Sequence, residues 1–248
     1  MVVLNQSMEN YNKFTHFKVH SQYSICEGAL KIENLSNFCK TNKIRAIGLS
    51  DTSNLCGALE FAEKISKVGT QPIIGTQINL LSDNQIGKIT LYATSEKGYK
   101  NLTKLSSLSY FKNKGPYDSC CEVDDLVLNN EDLILLTGNY NNFFGKLFYA
   151  NKTKYFEKII KKLKSSFKNR LYIEIQRHEE SQESNYENYL FKISSLYDLP
   201  LIAGQEVYYL DSGMAEAHDA LICIGEKQFI DDQNRFRYSN QHYLKKSE

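Results

Sequence analysis

Much that would settle a function early is missing from this 248-residue chain. No window approaches 18 consecutive apolar residues, so no stretch is long and apolar enough to span a bilayer as a helix. The opening Met1–Thr15 is polar and lacks the apolar segment of a secretory signal, and the closing Tyr243–Glu248 carries no tailing signal, so no leader is expected. A charge excess is missing too. With 30 Lys+Arg against 29 Asp+Glu, the formal charge of +1 excludes binding nucleic acid through overall charge and leaves only a local basic face. The six cysteines, Cys26, Cys39, Cys56, Cys120, Cys121 and Cys223, include no C-x-x-C pair. They read as reduced, mostly buried thiols of a cytoplasmic protein. No G-x-G-x-x-G and no G-x-x-x-x-G-K-[ST] lies near a strand end, which weakens the nucleotide-binding folds. There is no nucleophile elbow, and no cysteine has a histidine near it in sequence to activate it.

What is present is an alternation of short apolar runs and helix-period stretches. The runs predict strands over Thr15–His20, Ala46–Ser50, Pro72–Leu81, Lys88–Thr94, Asp132–Thr137, Leu171–Gln176 and Pro200–Ala203. Between them, apolar stripes fall on Leu55/Leu59/Ala62/Ile65, Leu102/Leu105/Leu108, Phe156/Ile159/Ile160/Leu163/Phe167 and Leu190/Ile193/Leu196. Ala46–Ser50 is continuously apolar, as a strand covered on both faces should be. Gly69 before Gln71-Pro72, and Leu199-Pro200, punctuate helix-to-strand turns, and Asn113–Asp118 reads as a loop. Seven strands with interleaved helices predict an α/β fold with a parallel sheet, closed into a distorted seven-stranded TIM-like barrel; an open doubly wound sheet is the competitor. One domain is expected over residues 1–211. Helical segments at Met214–Ile224 and Asn240–Lys246 would follow within 212–248.

In such a barrel, chemistry gathers at the C-terminal strand ends. Those ends carry His20, Asp51, Gln77, Asn139, His178 and Glu206. A metal site suggests itself, and the spacing argues against it. His16 and His20 lie about 13 Å apart on a strand, too far to share an ion. The residue two before His20, where a second ligand could converge, is Lys18, whose ammonium has no lone pair. Asp51, followed by Thr-Ser-Asn, reads as the cap of a helix starting near Asn54. His178, Glu27 and Glu206 each have a bland alternative as a structural histidine or solvated rim carboxylates. His218 reads as a packing or surface residue, and His242 has no partner nearby in sequence. The basic stretch Lys158, Lys161, Lys162, Lys164, Lys168 and Arg170 reads as a solvated helix face rather than a phosphate-binding one.

The phrases His16-Phe-Lys-Val-His-Ser-Gln-Tyr-Ser24, Ser50-Asp-Thr-Ser-Asn-Leu-Cys-Gly57, Pro72-Ile-Ile-Gly75, Gly98–Leu105, Leu171–Gln176 and Ala215–Leu221 together resemble the N-terminal PHP (polymerase and histidinol phosphatase) domain of bacterial DNA polymerase III α subunits. The resemblance runs in order over essentially the whole chain. It implies a distorted seven-stranded α/β barrel and, in members with a working site, a trinuclear metal centre with 3′–5′ exonuclease or phosphoesterase activity. Carried over by position, the remnant metal-site candidates are His20, Glu27, Asp51, His178 and Glu206. The family's other ligand positions hold Lys18, Thr52, Gln77, Lys88, Asn139 and Tyr208, all poor ligands or none. The resemblance therefore implies a degenerate site without catalytic metal, although residual Zn or Mn is the alternative. It also implies a scaffold that docks the proofreading exonuclease within the polymerase III holoenzyme, with DNA met through the full-length protein. Its Mg²⁺-binding palm would lie outside this chain. The rival readings are an active metal-dependent exonuclease and a free-standing phosphatase of the wider superfamily.

Overall fold

The computed structural model describes residues 14–112 and 119–246. The expected loop Asn113–Asp118 lies outside them. The strands are β1 (Lys18–Val19), β2 (Ala46–Leu49), β3 (Gln71–Ser82), β4 (Gln85–Ala93), β5 (Cys120–Glu122), β6 (Leu133–Leu136), β7 (Leu171–Gln176), β8 (Leu201–Gly204) and β9 (Glu206–Val207). The helices are α1 (Ile32–Thr41), α2 (Ala58–Lys67), α3 (Glu96–Phe111), α4 (Val123–Leu128), α5 (Phe143–Tyr149), α6 (Thr153–Phe167), α7 (Glu183–Tyr197) and α8 (Ala215–Glu226). All seven expected strands exist. The short β5 and β9 carry too few residues for a readable period.

The main sheet runs β2-β3-β4-β6-β7-β8, with β5 beside β3. It is mixed, which corrects the expected parallel sheet. β3 and β4 form an antiparallel hairpin, and β4 meets β6 antiparallel. The reason is local: Asp83 and Asn84, both at positive φ (52° and 57°), make a two-residue turn whose backbone hand matches strand twist. Nor is the barrel a closed seven-stranded one. β1 pairs with β9 in a separate two-stranded sheet and joins β2 through Gly48 N–H to His16 O (2.7 Å) and Ser50 N–H to Val19 O (2.9 Å). Among the described residues no ladder links β8 to β1 or β9. The sheet is a curled half-barrel.

A segment expected to be helical occupies the remaining seam. Asn240–Lys246 is not helical: Asn240 and Gln241 form a turn, Tyr243 bridges to Tyr209, Tyr208 N–H donates to His242 O (2.9 Å) and Leu244 N–H to Tyr209 O (3.0 Å). Gln205 Nε2 donates to the carbonyls of Gln241 and Tyr243, and His16 Nε2 to that of Lys245. Sheet partners satisfy this backbone, so it has no need of helical bonds.

Helices α3 to α7 cover the sheet over one large apolar cluster, while α1 and α2 cover β1 and β2 over a second. The α6 stripe is buried as expected: Phe156, Ile159, Ile160, Leu163 and Phe167. Two other stripes shift. α2 buries Ala58, Phe61 and Ile65 and leaves Leu59 72% exposed, while α7 buries Tyr186, Leu190 and Ile193 and leaves Leu196 outside. The six cysteines are free thiols, four of them buried. Among the described residues no helix is long and apolar enough to cross a membrane.

Gly48 is the tightest point of the β1–β2 junction, because a Cβ there would run into the backbone of Phe17. Gly48→Ala should lower unfolding stability by about 1–3 kcal/mol through overpacking, read from urea denaturation. An unchanged midpoint would show that β1 is free to shift.

Candidate functional site

The strand ends converge as expected. Lys18 and His20 come from β1 and its end, Asp51 and Thr52 follow β2, and Gln77 and Lys88 lie on β3 and β4. Asn139 follows β6, His178 follows β7, and Glu206 and Tyr208 belong to β9 and its end. Alternation along β1 sends Lys18 and His20 inward together.

Glu206 is the centre. Its Oε1 accepts from Gln77 Nε2 (2.5 Å) and His20 Nε2 (3.2 Å), and its Oε2 from Asn139 Nδ2 (3.3 Å). The Lys18 ammonium, fully buried, lies 3.5 Å from Glu206 Oε1 and 3.5 Å from Glu174 Oε2. These contacts are ion pairs without hydrogen-bond alignment. Gln176 donates to Glu174 (2.6 Å) and accepts from Asn139 (3.2 Å), closing the circuit across β7. Glu174 is a site residue that sequence reading misses. Its place in Leu-Tyr-Ile-Glu-Ile-Gln, two before Gln176 and on the same face, is the only signal.

One ammonium thus serves two buried carboxylates, and their proton affinities diverge. Burial pushes the Glu174 carboxyl up, and Lys18 and Gln176 offset this only in part. Burial would also raise Glu206, but Lys18 and the hydrogen bond from His20 overcome it and hold the group well below the usual carboxylate range.

A second knot joins the first through His20, whose Nδ1 contacts Ser24 Oγ (3.2 Å). Asp51 accepts from Ser21 N–H, Ser21 Oγ and Ser24 Oγ, each at 2.7 Å. Its expected role as a cap is overturned. α2 begins only at Ala58, behind Gly57, and Asp51 is 1% exposed, so it ties the β1 loop to β2 instead. At the rim Glu27 accepts from Thr52 Oγ1 (2.5 Å) and pairs with Lys88. Burial would raise Glu27, yet Lys88, His20 and Thr52 keep it below its ordinary value.

A third group contains His178 and Tyr208, both singled out in sequence, but its contacts with His242 and His218 were not legible there. The rings of His178 and His242 stack at 4.0 Å and 4°. His178 Nε2 accepts from Glu206 N–H (3.2 Å), and His242 Nδ1 donates to Glu206 O (3.0 Å). Glu183 accepts from His178 N–H at 2.7 and 2.9 Å. Tyr208 stacks between His20 and His218, and His218 Nε2 donates to Glu27 O. His218 and His242 are therefore structural members of the site's wall. Burial and the neighbouring His178 push His242 down to about 3.

The donor set does not fit a dication. The Glu206 oxygens are taken by Gln77, His20, Asn139 and Lys18, the Asp51 oxygens by serines, the Glu27 oxygens by Thr52 and Lys88, and the His178 Nε2 lone pair by a backbone N–H. Thr52, Gln77, Asn139 and Tyr208 add only neutral groups. Lys18 puts its charge where an ion's would be. Among the described residues no group of three or more His, Cys, Asp or Glu is arranged to hold a metal ion.

A family model described as PHP domain matches residues 16–178. The chain belongs to the PHP domain family. It is 32% identical over 243 residues to the DNA polymerase III subunit alpha of Caulobacter vibrioides, covering 95% of this chain and 21% of that protein. To the DNA polymerase III subunit alpha of Rickettsia conorii it is 37% identical over 223 residues, 88% of this chain and 19% of that one. The match lies in the N-terminal region of these relatives, and the chain spans about a fifth of their length. A solved structure from Bifidobacterium adolescentis, assigned to the metal-dependent phosphoesterases, superposes with a TM-score of 0.50 at 9% identity over 77% of this chain and 86% of that one. That likeness concerns the fold alone.

Two outcomes test the PHP site's electrostatics. Lys18→Met leaves two buried carboxylates without a cation and should cost about 3–5 kcal/mol at pH 7. Part of the loss should return near pH 5, because carboxyls with raised folded pKa values fold more stably when protonated; equal losses at both pH values would contradict the assignment. In the unaltered chain, His242 titrates lower folded than unfolded, so its contribution is complete above its ordinary value of 6.5 and lost as pH falls toward about 3. The slope should be about 1.4 kcal/mol per pH unit for that proton. His16 and His218, also pushed down by burial, steepen it. Urea midpoints at pH 7, 6 and 5, with His242→Phe as the flatter control, read the effect.

Proposed function

We propose that this chain is the N-terminal PHP domain of a replicative DNA polymerase III α-type subunit, cytoplasmic, whose metal site has been replaced by protein charge. Its work is structural: it supports the polymerase and docks the proofreading exonuclease, and it meets DNA as part of the full-length protein. The observation that carries this reading is the Lys18 ammonium, fully buried between Glu174 and Glu206. A metal-dependent phosphoesterase needs a Lewis acid that generates hydroxide and polarises the phosphoryl group. An ammonium supplies charge and neither of these. The match to DNA polymerase III α N-terminal regions supports the setting. In that setting no Zn or Mn is required here, and nucleotidyl transfer belongs to a Mg²⁺-binding palm elsewhere in the polypeptide.

The rival, an active exonuclease with an unusual ligand set, makes opposite predictions. Purified chain given a 3′-labelled primer with Mn²⁺ or Zn²⁺ should release no nucleotide above buffer, and elemental analysis should find no tightly bound Zn, Mn or Fe. Release that disappears in His20→Ala would hand the site to the rival. Titration with the proofreading subunit should give a saturable complex, and its absence at high concentration would remove the docking role.

A further inference from the structure

Beneath the rim, six buried polar atoms have no hydrogen-bond partner in the protein: Lys18 Nζ, Ser50 Oγ, Gln77 Oε1, Thr90 Oγ1, Tyr92 OH and Glu174 Oε2. Their residues are at most 2% exposed. They belong to β1, the end of β2, β3, β4 and β7. An unpaired polar atom away from water is costly, and native interiors leave few of them.

The six are neighbours. Lys18 Nζ and Gln77 Nε2 meet the same Glu206 oxygen, at 3.5 and 2.5 Å, which brings the Gln77 amide next to the ammonium. Thr90 stands directly across the β3–β4 ladder from Gln77. Lys18 Nζ is also 3.5 Å from Glu174 Oε2. Tyr92 shares a strand face with Thr90. Its ring lies over Gly75, where a Cβ would run into it, and Ser50 comes next on β2 after the Leu49–Ile74 pair. The Glu174 charge and the Ser50 hydroxyl both act on the Tyr92 hydroxyl.

Charge decides what fits among them. A cation would meet the Lys18 ammonium, and an anion would meet Glu174 and Glu206. An apolar group would satisfy none of the six. The set holds donors (the ammonium and three hydroxyls) and acceptors (an amide and a carboxylate oxygen), so its match is a small neutral molecule that does both. Water is that molecule.

We propose that the interior of the half-barrel binds about two integral water molecules, each with about three protein partners, as buried waters have. One accepts from the Tyr92 and Ser50 hydroxyls and donates to Glu174 Oε2. The other accepts from Lys18 Nζ and donates to Gln77 Oε1 and Thr90 Oγ1. Water thus completes the shell of the buried ion pair, and the inference does not depend on the polymerase setting.

A high-resolution crystal structure of the 248-residue chain should show both waters, each within about 2.7–3.2 Å of its three atoms. In solution, oxygen-17 relaxation dispersion should detect them as long-lived. The double variant Ser50→Ala, Tyr92→Phe removes two partners of the first water, so the dispersion amplitude should fall by one molecule while the second water stays in the density. The crystal reading of the unaltered chain decides whether or not that variant folds. A dry interior in which the six atoms bond one another directly overturns the inference and leaves the metal-free reading standing. An unchanged amplitude in the folded double variant also overturns it. A peak with the anomalous signal of Zn or Mn is a different failure, since it removes the metal-free reading as well.

Discussion

One buried ammonium holds the barrel end together. Lys18 has no exposed side-chain surface, and its ammonium lies 3.5 Å from each of two carboxylates. Moving such charges from water into the interior costs several kcal/mol per ion even after relaxation, and mutual attraction repays this only when the remaining polar atoms are also satisfied. That requirement spreads outward. Glu206 must be met by Gln77 and Asn139, Glu174 by Gln176, and His20 must turn its Nε2 inward. These residues come from β1, β3, the β6 end, β7 and β9, so a single charge balance fixes five strand ends relative to one another. Where TIM-type barrels fill their interior with branched apolar chains, this one uses a polar circuit.

The seam segment depends on the same centre. His242 reaches Glu206 O and stacks on His178, whose backbone is in turn held by Glu183 at the start of α7. Leu244 beyond it enters the apolar cluster around β1 and β2. A half-barrel with an open seam would leave backbone groups of Tyr208 and Tyr209 unpaired, and His242 and Leu244 supply their partners. The C-terminal part of the chain is thus integral to the site's wall.

What could be read from sequence follows from what local pattern encodes. The α6 stripe survives intact because fifteen residues hold a steady 3.6 period against one surface. The convergence of His20, Asp51, Gln77, Asn139, His178 and Glu206 was legible because strand ends of an α/β sheet share a rim. Strand direction is not written in periodicity, so the reversal of β4 was visible only as Asp83-Asn84 between two runs. Asp51-Thr-Ser-Asn has the composition of a helix cap, and only the position of Ser21 and Ser24 decides otherwise. Glu174 and His242 are missed because the contacts that place them, Lys18 for Glu174 and Glu206 and His178 for His242, are remote in sequence, and an inward carboxylate on a strand looks like any outward polar residue.

The two lysines at the rim also bear on how this fold could persist without the chemistry, as proposed above. A dication at this rim would do two separable things: neutralise clustered carboxylates and activate water. Lys18 and Lys88 can do the first, since Lys18 faces Glu174 and Glu206 and Lys88 faces Glu27. They cannot do the second, because an ammonium has no vacant coordination position and lowers no bound water's pKa to neutrality. On the proposed reading, lysines in place of ions would forgo reactivity while keeping the electrostatic condition under which the strand ends stay together. On that reading the condition would be intrinsic to the chain, with no ion binding coupled to folding. For a domain whose proposed work is to hold and to dock, that exchange loses nothing the work requires.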